Sequence, residues 1–337
     1  SNDSQLVIDS PSTLTLFSPV NFGSGGGSIS NDDAVIFSSQ FSGEGPITKL
    51  GAGDLTLPVN SIHTGGIDVM AGRVLMLAPS GATSGDIILA DQTSYLFLNT
   101  DAILDQEITI ANGAVGFGAG TSDSTVTVNG NITGAGKLSL VAGTTILSGN
   151  NSYIGTDVPT GATLGIESSA AVGSEAISLA GDLRGVADAT LINDIELFSS
   201  NTFSIDDATT LTLNGAITGT SDIIKADTGT LILNDSNFTG SFTVNDGSLI
   251  VNSSASNNAT TLNGGRLGGS GSFGATTVAS GLVFGTGTYN SLDLTGGTIA
   301  PGNSVGVINI TGNYAQASGA TYAVEIDGNS SDQLLIT

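Results

Sequence analysis

Residues 216–251 read AITGTSDIIKADTGTLILNDSNFTGSFTVNDGSLIV. A Gly-bearing turn leads to Lys225, then to the run Thr230-Leu231-Ile232-Leu233. An Asn-containing turn follows, then Phe238, Gly240, a short strand and a second turn closed by Gly247. Short aliphatic and β-branched runs bounded by Gly, Asn and Asp read as strands joined by tight turns. The same order recurs at 41–77 and at 131–167. Lys49 and Lys137 stand for Lys225, Ile62 and Tyr153 for Phe238, Gly65 and Gly155 for Gly240, and Gly72 and Gly161 for Gly247.

The copies recur about every 85–90 residues, which suits about four coils of 20-odd residues each. Between them lie further short runs, such as 14–17, 54–57, 125–128 and 210–213, at strand length and spacing. No amphipathic helical pattern interrupts them. A sandwich or barrel does not need a long repeat, but a stack of coils does, because no coil can bury its apolar face alone. The expected fold is therefore all-β: a right-handed parallel β-helix forming a single elongated rod. At about 4.8 Å per coil, about 15 coils would extend on the order of 70 Å.

Composition narrows the function. Thirty acidic residues face only six cations, for a net charge of −24. Lys49, Lys137, Lys225, Arg73, Arg184 and Arg266 are scattered in sequence and build no basic patch, so nucleic acid and anionic lipid are disfavoured partners. Cysteine is absent, which leaves the core and backbone hydrogen bonds to hold the fold. No basic stretch followed by an apolar segment opens the chain, which is expected to begin as a mature segment. Apolar runs of mostly four to six residues fall short of the roughly 9–11 that a membrane-spanning strand needs.

Motifs for chemistry are sparse. Gly302-Asn303-Ser304-Val305-Gly306 matches G-x-S-x-G, but that nucleophile pattern needs a strand-to-helix turn and a histidine partner. His63 is the only histidine, and it is expected in a surface turn. Asp32-Asp33 and Asp206-Asp207 are adjacent carboxylates that would bind Ca²⁺ only if further oxygens converged on them; their ordinary reading is solvated turn. The glycine-rich run 23–28 lacks the lysine of a phosphate-binding loop. No cofactor is implied. Cleavage of glycans would need paired carboxylates beside aromatic platforms, and here aromatics make up only 5% of residues.

The three repeats resemble the passenger-associated repeats of autotransporter (type V secretion) passenger domains. The resemblance rests on Gly51, Gly53, Leu55, Leu57, Asn60, Thr64, Gly65, Val69, Gly72 and Val74 in the first copy. In the third it rests on Gly229, Leu231, Leu233, Phe238, Thr239, Gly240, Val244, Gly247 and Leu249. The tail from Gly296, with Pro301, Gly302, Asn303, Ser304 and Gly306 as its structural motif, looks like the segment before the stable C-terminal part of such passengers.

This resemblance implies N-terminal coils or a cap over 1–40, a repeat-bearing β-helix over 41–290, and the last passenger coils over 291–337. A linker and an outer-membrane barrel would follow in a longer chain, and that barrel would be the only membrane contact. It implies a bacterial cell-surface location, tethered or released. The common roles it implies are adhesion to host-cell or neighbouring-cell molecules and self-association; the family also includes enzymes, and it is the lack of an assembled catalytic set that favours a role without catalysis. The alternatives are a carbohydrate-active β-helix and a passive stalk presenting an upstream domain. The C-terminal coils would leave the cell first and template the rest, so charges at Ile308 or Val324 would harm display more than one near Leu14.

Overall fold

The computed structural model describes residues 4–8, 12–77, 85–253 and 258–337. Every regular element among them is a strand of two to seven residues. Nearly all strands pair in parallel with the equivalent strand of the next coil, giving a parallel β-solenoid. The chain falls into two units, Ser1–Ala176 and Ile177–Thr337.

In the first unit the register runs Ile47, Ile67, Ile87, Ile108, Ile132, and all five are buried. A second ladder runs Val35, Leu55, Val74, Leu96, Phe117. Strand side chains alternate between faces, so each short run sends every second residue inward and leaves Asp, Thr or Ser outside. Each buried aliphatic contributes roughly 1.5–3 kcal/mol, and a neighbouring coil supplies the surface it needs. In the second unit the ladder is Leu211, Leu231, Leu249, Leu267, Val283, Ile299. The step per coil tightens along it from 20 residues to 16. Phe273 and Tyr289 pair in register with stacked rings 4.7 Å apart. The coils turn through residues in the left-handed region, among them Gly72 (φ +73°) and Gly247 (φ +65°), where a Cβ is disfavoured.

Two lysines occupy core rungs. Lys49 lies between Ile29 and Val69, and Lys225 between Phe203 and Val244; both are 0% exposed. The Lys49 ammonium donates to the carbonyls of Leu50 (2.8 Å), Gly51 (2.7 Å) and Ala71 (3.3 Å). Lys225 makes the same set with Ala226, Asp227 and Asp246. Three ammonium protons thus meet three turn carbonyls. Residues Gly51 (φ +79°) and Asp227 (φ +59°), two after each lysine, share the left-handed backbone.

The second copy departs from this arrangement. Lys137 is exposed, so it does not take the interior place of the other two. The aromatic position also needs correction. His63, not Ile62, fills the place of Tyr153 and Phe238. His63 is 1% exposed and packs edge-on against Phe41, whereas Ile62 faces solvent. Counting back two residues from Gly65, Gly155 and Gly240 gives the correct register, and His63 is a core residue instead of a surface-turn one.

Candidate functional site

On the outer face of the first unit, four successive coils present the strands Asp54–Leu57, Gly72–Met76, Ser94–Leu98 and Ala114–Ala119. Their outward positions form two columns. One runs Asp54, Arg73, Tyr95, Gly116; the other carries Leu75, Phe97 and Gly118 in register. Arg73 forks onto both carboxylate oxygens of Asp54, with Nε donating to Oδ1 at 3.1 Å. Its guanidinium carbon sits 5.7 Å from the centre of the Phe97 ring. Tyr95 and Phe97 lie 5.9 Å apart with tilted rings.

The glycines make this possible. A Cβ at position 116 would collide with the Tyr95 ring, so only glycine lets that ring lie across the next coil. Strand glycine commonly marks such close approach. Together with Ala52, Ala71, Gly72 and Thr93, these residues line a groove of about 540 Å³, within the size range of small-molecule sites. Tyr95 is 37% exposed; Phe97 forms the floor.

A second groove of about 500 Å³ lies in the second unit, between Arg266, Phe284, Pro301, Gly302, Asn303, Ser304, Glu325 and Asp332. Here Arg266 covers Phe284, 4.4 Å from its ring centre, and leaves that ring 7% exposed. The tail motif forms its wall. Gly302 (φ +83°) exchanges backbone hydrogen bonds with Gly285 at 2.6 and 3.2 Å. The buried Asp332 carboxylate accepts from the Gly306 and Glu325 amides, both at 2.9 Å. Ser304 therefore sits in a turn that leads into the strand Val307–Ile310, not at a strand-to-helix elbow. Val324, where a charge is expected from the sequence to impair display, is 47% exposed.

The paired carboxylates sit in ordinary turns. Asp32 accepts from the Ala52 amide at 3.3 Å, and the Asn31 side chain donates to the Asp33 carbonyl at 2.7 Å. Asp206 takes a bidentate Arg184 at 2.9 Å, an ion pair that raises the arginine pKa further. Asp207 accepts from Thr228 at 3.0 Å. Among the described residues no three or more His, Cys, Asp or Glu side chains gather as metal ligands.

Five of the six cations, scattered in sequence, have structural partners in space. Arg73 and Arg184 pair with aspartates, Arg266 caps a ring, and Lys49 and Lys225 bind turns inside the coil. The Tyr95 groove is a site that composition alone did not reveal. Its signal in the sequence is Tyr95-Leu96-Phe97 one coil before Gly116-Phe117-Gly118, with alternate residues large and then absent at the same outward places.

Parallel coils bearing these repeats support reading the chain as part of an autotransporter passenger. The passenger-associated-transport-repeat family pattern matches residues 47–76, 142–166 and 223–251. The location these findings support is the cell surface or the extracellular space. In particular, the chain is 32% identical over 169 residues to the Adhesin BmaC autotransporter of Brucella suis biovar 1. The match takes in 47% of this chain and 5% of that protein, so the chain spans about one twentieth of the relative's length. No solved structure matches the chain.

Proposed function

We propose that this chain works as an adhesive segment of a surface passenger, by binding and not by catalysis. The observation that carries this reading is the 169-residue similarity to a protein named an adhesin. The coil geometry supports it. A stack of short strands repeats outward Thr, Asn, Asp and Ser at regular spacing and suits many weak polar contacts, which gain strength when many copies act together. Adhesion to host-cell or neighbouring-cell molecules and self-association both use such faces.

The test is to display the chain on a non-adherent bacterium through a heterologous barrel. Attachment to cultured cells and settling of the bacterial suspension are then measured. Increased attachment or faster settling is expected. Normal display with neither effect contradicts the proposal and favours a passive stalk. That second reading draws on the small share of the relative that the chain spans, since a long passenger can hold its binding region elsewhere.

A further inference from the structure

We infer that the groove at Asp54, Arg73, Tyr95 and Phe97 is a binding site for a neutral sugar ring. The inference rests on the adhesive reading and names the ligand class for one place on the surface. Its basis is the match between groove and ligand. A pyranose has an apolar face of C–H bonds and a rim of hydroxyls that both donate and accept. The groove offers a half-exposed Tyr95 ring beside Phe97, which suits the apolar face. At its edge the Arg73–Asp54 pair supplies donors and acceptors together.

Charge decides between ligand classes. Arg73 is already matched by Asp54, so the site has no free charge of either sign for an ionic ligand. An anion would also meet a chain of net charge −24, and a cation would have to strip Asp54 from its arginine. A neutral, amphipathic ligand pays neither cost. The groove's volume of about 540 Å³ accommodates one or two sugar rings. Glycine at 116 leaves the room in which the Tyr95 ring lies against the next coil.

The second groove does not share this character, because its ring, Phe284, is buried under Arg266 and no half-exposed tyrosine lines it. A single shallow shelf binds weakly. Affinity in the millimolar range is expected, with function coming from many copies.

The experiment uses the full 337-residue chain and saturation-transfer NMR. Lactose, maltose and chitobiose are the neutral probes, and sialyllactose is the anionic comparison. At least one neutral disaccharide is expected to take up saturation. Tyr95→Ala is expected to weaken it about tenfold or more, while Tyr95→Phe, which keeps the ring, stays near the parent. Arg73→Gln provides a second loss that leaves both rings in place. Unchanged far-UV spectra show that the variants fold. Binding of none of the neutral sugars, binding of sialyllactose alone, or unchanged binding by Tyr95→Ala overturns the inference. Cell attachment is measured on the same variants. A parent that attaches to cells but binds none of the neutral sugars removes the sugar site and keeps the adhesive reading. Sugar binding without attachment by the parent does the reverse.

Discussion

His63 carries an ionisable ring in a position that two other repeats fill with Tyr153 and Phe238. Neither ring nitrogen makes a hydrogen bond of good geometry, and burial pushes the imidazole below its ordinary pKa. The unfolded chain titrates near the ordinary value of about 6.5 and so takes up a proton before the folded chain does. Stability from this site is therefore present above about pH 6.5 and lost as pH falls. His63→Phe removes that loss and restores the aromatic of the other copies. In urea unfolding, the variant's advantage over the parent is expected to grow from pH 7.5 to pH 5. A constant difference would show that His63 keeps one protonation state. Tyr289 offers a related test. Its hydroxyl is buried without a partner, and burial raises its pKa strongly. Tyr289→Phe retains the stack on Phe273 and removes an unsatisfied group whose cost is about 1–3 kcal/mol. A higher melting temperature is expected, and a lower one would reveal a hidden partner.

At the scale of one coil, the lysine clasp sets the geometry of the turn. Burial draws the Lys49 and Lys225 ammoniums down to about 8, with nearby aspartates opposing. Between pH 8 and the ordinary value of about 10.4, the unfolded chain holds a proton that the folded chain releases. Stability from each lysine thus rises with pH across that window. Lys225→Met is expected to lower stability at pH 7.5, since three turn carbonyls lose their donor. The gap to the parent should widen by about 2 kcal/mol at pH 9.5. A gap that narrows with pH would show that the carbonyls hold the proton more tightly than burial expels it.

The clasp also shows what the sequence could and could not disclose. Leu231, Leu233 and Leu249 advertise an inward face by alternation alone. Lys225 sits on the same period but carries a charge, which ordinarily places a residue outside. The three inward-turned carbonyls that accept the charge come from a turn and a neighbouring coil. The one-residue slip between Ile62 and His63 has the same origin, because a polar ring in the core reads as surface. Tyr95 and Phe97 were legible as a strand but not as a site. Their partners Arg73 and Asp54 lie one and two coils back, and only register brings them together.

Over the whole chain, the repeats make the stacked coil legible in the sequence, since a period of several coils has no use in a sandwich. If the chain leaves the cell C-terminus first, as the resemblance to passengers implies, the final coils would act as template. Ile308→Asp, at a buried rung, is expected to reduce surface display more than Val35→Asp, equally buried in the first unit. Val324 is too exposed to serve in that comparison. Equal losses measured by protease accessibility on whole cells would contradict ordered folding from the C-terminal end.

Pulsed and continuous-wave electron paramagnetic resonance on the second unit probes the stacked register, because the cysteine-free chain accepts pairs of labels cleanly. Thr210 pairs with Thr230, and the same outward column continues through Ser248, Arg266 and Leu282 to Thr298. Labels at 210 and 230 should show strong dipolar broadening from backbones about 4.8 Å apart. Labels at 210 and 298, five coils apart in register, should give one narrow distance near 24 Å. A dominant distance near 10 Å, the gap between facing sheets, or no broadening at 210 and 230, would contradict the parallel stack.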